Sequence, residues 1–252
     1  MKQRIDVLRK SISESSLDAA LITGEVNIRY YSGFTSSDGI FLITQKGAYL
    51  TTDFRYTIQA KAQTDGCCEV VEASFLEQFD RIRDFLAADG CKRVAFEQDG
   101  MTVGLFKHYE PMPVEWVPYG DEISLPRMIK SAEEIESLQR AQRIADQSFL
   151  DWLGRIGPGM TEREAVAELN YVCMKNGSEG ASFDPIVAGG ENGAMPHAVP
   201  GERKLKKGEL VVTDFGCMID GYHSDMTRTF AVGGVDAQCR EIYGIVKAAQ
   251  QL

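Results

Sequence analysis

The chain has 252 residues, 44% of them hydrophobic and 25% charged, which is a globular composition with enough length for two domains. Its formal net charge of -10 argues against nucleic-acid binding, which needs basic surface. The sequence shows no signal-peptide core, no apolar run of about 18 residues and no CxxC pair, so we expect a cytoplasmic protein without a membrane anchor.

The first half of the chain predicts alternating helices and strands. Apolar residues at three- and four-residue spacing predict a helix over 2–16, and a hairpin is predicted from 39–44 and 48–53. Asn27 to Phe34 has the composition of an irregular polar stretch. Further strands are predicted at 18–23, 67–73 and 93–97, and further helices at 75–88 and 102–109. This mixture predicts an α/β domain over 1–125, ended by a proline-rich segment, with a second domain over 126–252.

Two helices are predicted at the start of the second domain. Each begins with a capping box, Ser131 with Glu134 and Thr161 with Glu164. The first helix carries an apolar stripe from Ile135 to Trp152, and the second ends at Asn176-Gly177. The apolar positions predicted to be buried in the second helix are Val166, Leu169, Val172 and Cys173.

The segment from Glu209 to Phe230, ELVVTDFGCMIDGYHSDMTRTF, predicts a β-hairpin with one aspartate in each strand. The Asp220-Gly221 pair is a strong turn signal, because tight hairpin turns need positive φ. If the loop is Ile219-Asp220, Asp214 lies directly opposite Asp225. If the loop is Asp220-Gly221, Asp214 lies opposite Thr227 and Asp225 is its diagonal neighbour.

In either register the two carboxylates share a face within roughly 5 to 8 Å. A bound divalent cation would relieve their mutual repulsion, because carboxylate oxygens are ligands for such metals. The alternative interpretation is that both side chains lie on the solvent face of an amphipathic hairpin. The residue pattern alone leaves both interpretations open.

Several motifs in order along the chain resemble the pita-bread metallopeptidases, in particular their Xaa-Pro aminopeptidase and prolidase branch. The motifs are TTDFRY (51–56), RMIKSAEEIESLQRAQRIAD (127–146), SFDPIVAGGENGAMPH (182–197), KLKKGELVVTDFG (204–216) and DGYHSDMTRTF (220–230). The resemblance implies an α/β creatinase-like N-terminal domain followed by the first half of an α+β pita-bread domain.

The resemblance also implies a catalytic site. Enzymes of this family use two divalent metal ions, here expected to be manganese, with cobalt, zinc or iron as alternatives. Asp214 matches the carboxylate that binds mainly one metal, Asp225 matches the bridging carboxylate, and His197 matches a catalytic residue that assists proton transfer. His223 matches no ligand and is interpreted as structural. The family's other ligands, one His and two Glu, lie in the second half of that domain, so we expect the chain to be a fragment with little activity alone.

The implied activity is hydrolysis of the peptide bond before proline by a metal-dependent aminopeptidase, with a peptide carrying proline at its second position as substrate. A prolidase acting on Xaa-Pro dipeptides and a non-catalytic peptide-binding module of the same fold are the alternatives. A metal-independent creatine amidinohydrolase shares the fold, but the pair of aspartates argues against it. The family also implies a homodimer, in which the N-terminal domain of one subunit caps the active site of the other.

Overall fold

The structure is a computed structural model that describes all 252 residues. It consists of two compact units, Met1–Ile129 and Lys130–Leu252. The division falls four residues after the boundary predicted from sequence. None of the helices combines the length and the apolarity that crossing a lipid bilayer requires.

The first unit alternates helices and strands. Its elements are α1 Lys2–Glu14, β1 Ala19–Ile22, α2 Glu25–Ser32, β2 Ile40–Thr44, β3 Ala48–Thr52, α3 Thr57–Gln63, β4 Glu69–Glu72, α4 Phe75–Asp89, β5 Arg93–Phe96, α5 Val103–Tyr109, β6 Glu115–Pro118 and α6 Gly120–Ser124, followed by a 3-10 turn at Leu125–Met128.

The six strands of the first unit form one sheet in the order β4-β3-β2-β1-β5-β6. β2 is antiparallel to both of its neighbours, and the other pairs are parallel. Every residue of β1 and β2 is buried, because α1 and α2 cover one face of the sheet while α4 and α5 cover the other. The predicted α/β class is therefore confirmed.

The polar stretch from Asn27 to Phe34 differs from its prediction, because α2 occupies most of it. Asn27 is buried, donates a hydrogen bond to Glu97 and accepts one from Arg127 at 2.9 Å. Glu97 also accepts hydrogen bonds from the backbone amides of Thr23 and Gly24, at 3.1 and 2.7 Å, beside the start of α2. These partners are about 70 to 100 positions away in sequence, so no local pattern could indicate that this polar segment is buried.

The proline-rich segment also differs from its prediction, because it contains β6. This strand lies at the edge of the sheet and pairs with a neighbour on one side only. Pro118 has no N–H group, and an edge strand tolerates this loss. The segment therefore completes the first unit's sheet before the chain continues to the second unit.

The second unit packs two helices against a small sheet. Its elements are α7 Ala132–Leu153, α8 Glu162–Lys175, β7 Ile186–Gly189, a 3-10 turn at Gly190–Ala194, β8 Leu210–Phe215, β9 Met218–Ile219, β10 Tyr222–His223, β11 Met226–Ala231 and α9 Ala237–Gln250. β8 lies between β7 and β11, and it is antiparallel to both.

Both predicted capping boxes are confirmed, at Ser131 and at Thr161. The core joins Trp152 of α7 and Leu169 of α8 to the inward-facing residues of β8 and β11. Several positions of the predicted apolar stripes are less buried than expected, and Leu138 and Phe149 of α7 are only partly buried. Ile135 is 46% exposed, and Val166 is only partly buried because Ala165 takes the inner position in α8.

Candidate metal and catalytic site

The hairpin turn consists of Asp220 and Gly221, whose φ angles are +50° and +70°. Positive φ at both turn residues is typical of the type I′ turn that joins two strands tightly. Tyr222 pairs with Ile219 next to the turn, and Thr227 pairs with Asp214 further along. The structure therefore has the second of the two registers that the sequence left open.

Asp214 and Asp225 lie on one face of this hairpin. Thr227 Oγ1 donates a hydrogen bond of 2.7 Å to Asp214 Oδ1, so these paired side chains share a face. Asp225 lies in the two-residue break between β10 and β11, and not within a strand as predicted. It precedes Thr227 by two residues, and both are exposed, whereas Ser224 and Met226 on either side of Asp225 are buried. This alternation places Asp225 on the face of Thr227 and Asp214. The carboxylates are diagonal neighbours, at a separation of about 7 to 8 Å between their backbones.

Gly216 allows the two strands to approach each other closely beside the aspartates. In this register it lies opposite Asp225, in the short break between β8 and β9. A Cβ at this position would lie 1.8 Å from the backbone oxygen of Ser224. The ladder continues past the break, because Ser224 N donates to Cys217 O at 2.9 Å and Cys217 N donates to Ser224 Oγ at 2.9 Å.

His197 follows a loop that packs on the same side of the sheet as Asp214. In β8, Val211, Thr213 and Phe215 are buried, whereas Val212 and Asp214 belong to the opposite face. A Cβ on Gly193, in the 3-10 turn after β7, would contact Val212 Cγ2 at 3.4 Å. The loop therefore reaches the face that carries Asp214. His197 lies four residues further on and is exposed.

Two charged groups that the sequence analysis did not single out hold this loop in place. Glu162 is 1% exposed and accepts hydrogen bonds from both ends of the segment 189–201. Arg203 donates to Glu191 at 3.1 and 3.2 Å and to Glu209 at 3.0 and 2.6 Å. The hydrogen bonds from Arg203 lower the pKa of Glu191 to about 2 and hold the pKa of Glu209 below its usual range. Local sequence patterns assign Glu162 to the start of a helix and Arg203 to a loop.

The donor set fits part of a divalent metal site. Asp225 makes no hydrogen bond or ion pair with another residue, and Asp214 accepts one from Thr227. Free carboxylate oxygens on one face suit a hard or borderline divalent cation. The structure brings no third His, Cys, Asp or Glu to them to form a recognisable metal cluster. Neither His197 nor the exposed His223 of β10 completes a cluster of three such residues with the two aspartates.

Two known protein families match almost the whole chain. Residues 4–129 match the Creatinase/Prolidase N-terminal domain, and residues 136–252 match Metallopeptidase family M24. Peptidase YqhT of Bacillus subtilis is 39% identical over 253 residues, which cover 99% of this chain and 70% of that protein.

Solved structures agree with these matches. The Xaa-Pro dipeptidase from Bacillus anthracis has a TM-score of 0.93 and 38% identity, covering 99% of this chain and 70% of that one. The X-Pro aminopeptidase from Thermotoga maritima has a TM-score of 0.88 and 34% identity, and the match covers 98% of this chain and 70% of that one. The chain thus spans about 70% of the length of each of these relatives.

Proposed function

Because the chain belongs to metallopeptidase family M24 and carries a creatinase/prolidase N-terminal domain, we propose that it serves the metal-dependent hydrolysis of Xaa-Pro peptides. The observation that carries the proposal is the pair of aspartates on one face of the β8–β11 hairpin. A cytoplasmic location is part of the proposal, and it is supported by six cysteines that are all free thiols.

In this proposal Asp214 and Asp225 hold the metal through their carboxylate oxygens, and manganese is the preferred ion. Divalent ions held there would supply Lewis-acid activation of a water molecule and of the scissile carbonyl. Thr227 keeps the Asp214 carboxylate oriented through its hydrogen bond to Oδ1. The imidazole of His197 donates a hydrogen bond to the carbonyl oxygen under attack, where negative charge develops.

The preferred substrate is an Xaa-Pro dipeptide. The sequence resemblance favoured an aminopeptidase, but the relative of known structure with 38% identity bears the name dipeptidase, and the one with 34% bears the name aminopeptidase. The two activities differ in the space that the site leaves beyond proline. An enzyme that cleaves only the dipeptide must exclude a third residue, and this difference can be measured directly.

This proposal treats the chain as part of a longer protein, which is supported by its covering about 70% of these relatives. The test compares the 252-residue chain with the product of the complete open reading frame, both supplied with Mn²⁺. We expect the complete product to cleave an Xaa-Pro dipeptide faster than an Xaa-Pro-Yaa tripeptide and to leave an Xaa-Ala control intact. We expect the 252-residue chain to be at least about 100-fold slower, because two carboxylates alone position a metal poorly.

A faster reaction on the tripeptide would assign the protein to the aminopeptidases instead. Binding of these peptides without cleavage under Mn²⁺, Co²⁺, Zn²⁺ or Fe²⁺ would contradict the proposed reaction and favour the peptide-binding module.

We further propose that the protein forms a homodimer through the N-terminal unit. Beyond β3, Arg55 forms ion pairs with Asp53 and, at 2.8 Å, with Asp38, in a segment that carries two exposed apolar side chains. Phe54 is 75% exposed and Ile58 is 86% exposed. Large apolar side chains exposed close together are typical of association surfaces.

Sedimentation equilibrium at micromolar concentration tests the homodimer. We expect a dimer for the wild type, and a dissociation constant raised by on the order of 100-fold for the double variant Phe54→Ser, Ile58→Ser. Val7→Ser is the matched control, because Val7 is also exposed but belongs to α1. A wild-type species of 27.9 kDa at that concentration would show the proposal to be wrong.

A further inference from the structure

Glu162 is a buried carboxylate at the start of α8, and it has no cationic partner. Its side chain is 1% exposed, and no lysine or arginine forms an ion pair with it. Burying a carboxylate is unfavourable unless hydrogen bonds replace its hydration. The identity of the donors therefore shows what this residue contributes to the structure.

All the hydrogen-bond donors to the Glu162 carboxylate come from the segment 189–201. The amide of Gly189 donates to Oε1 at 3.0 Å, and the amide of Gly201 donates to Oε2 at 3.3 Å. The side-chain amide of Asn192 donates to both oxygens, at 3.0 and 3.1 Å. One carboxylate thus ties together the two ends of the segment and its 3-10 turn.

Helix capping does not account for this arrangement. The first turn of α8 is already capped by Thr161 and Glu164, whose reciprocal hydrogen bonds measure 2.8 and 3.1 Å. Glu162 reaches away from its own helix toward the loop, where its carboxylate accepts hydrogen bonds from Gly189, Asn192 and Gly201. Its hydrogen bonds therefore hold the loop rather than the helix.

We infer that Glu162 is a positioning residue that fixes the segment 189–201 and thereby holds His197 beside the face that carries Asp214. This inference rests on the proposed function, which gives His197 its task. Arg203 also contacts this segment, because its guanidinium donates hydrogen bonds to Glu191 at 3.1 and 3.2 Å. Only Glu162, however, bonds directly to both ends.

The test uses the full 252-residue chain as wild type, Glu162→Gln and Glu164→Gln. Glutamine has the size of glutamate but presents an NH₂ group to donors, so Glu162→Gln loses at least half of these hydrogen bonds. Glu164→Gln is the matched control, because it perturbs the same helix turn without touching the loop. Hydrogen–deuterium exchange reports on the segment 189–201. The Mn²⁺-induced broadening of the imidazole resonance of His197 reports on its distance from the aspartates.

We expect Glu162→Gln to exchange at least about tenfold faster across 189–201 and to lose most of the broadening of His197, with unchanged Mn²⁺ affinity. Glu164→Gln should resemble the wild type in both measurements. Exchange that is unchanged in Glu162→Gln would overturn the inference, and so would faster exchange with full broadening of His197. Broadening that is absent from the wild type would count against the proposed metal site, and it would overturn the placement of His197 even if exchange showed that Glu162 anchors the loop.

Discussion

Replacing either aspartate of the hairpin with asparagine should lower the affinity of the chain for Mn²⁺ by at least about 100-fold. Loss of a group that merely supports a metal ligand already costs roughly 10- to 100-fold, and Asp214→Asn or Asp225→Asn removes a ligand charge itself. Asparagine has the same shape, so the register in which Thr227 pairs with Asp214 should persist. Titration calorimetry with Mn²⁺ measures the effect, and circular dichroism checks the fold.

Asp220→Asn provides the control for charge in the same hairpin. Asp220 lies in the turn with φ of +50°, a conformation that asparagine tolerates, and its carboxylate pairs with Arg140 at 2.8 Å. We expect its Mn²⁺ affinity to stay within about twofold of the wild type, because an exposed charge outside the ligand set is largely screened. Equal losses in all three variants would show that net charge rather than coordination holds the metal, and the proposed site would be wrong.

The hairpin shows how far local sequence patterns determine a site. Strand alternation on either side of the turn places both carboxylates on one face in each of the two possible registers. The shared face could therefore be predicted from the sequence before the register was known. The choice of register follows from positive φ at both Asp220 and Gly221. The Asp220-Gly221 dipeptide favours a turn formed by these two residues. It does not exclude a turn shifted by one residue, at Ile219-Asp220.

The buried carboxylates show where local patterns fail. Glu162 matches the acidic first turn of a helix, and Glu97 matches a strand end, yet both accept hydrogen bonds from segments about 30 to 70 residues away. A local pattern can predict that a glutamate begins a helix. It cannot predict that the carboxylate turns away from the helix to satisfy buried amides, because those amides reach it only through tertiary folding.

Gly216→Ala should destabilise the second unit by more than about 3 kcal/mol, which corresponds to a fall in melting temperature of roughly 10 °C. The added methyl group would lie 1.8 Å from the backbone oxygen of Ser224 and 2.7 Å from Ser182 Oγ. A flexible side chain could move aside, but a strand backbone can yield only if the two strands separate. Calorimetry of the variant measures this cost.

Gly180→Ala is the control for Gly216→Ala, because its added methyl group would meet only Met218 Cε, at an ordinary 3.6 Å. We expect it to change stability by less than about 1 kcal/mol. Because Gly216 lies opposite Asp225, strand separation in Gly216→Ala would also move Asp225 away from Asp214. Mn²⁺ affinity should therefore fall even at temperatures where the variant is folded. A folded Gly216→Ala protein with wild-type affinity would show that close strand approach is not what holds the two carboxylates together.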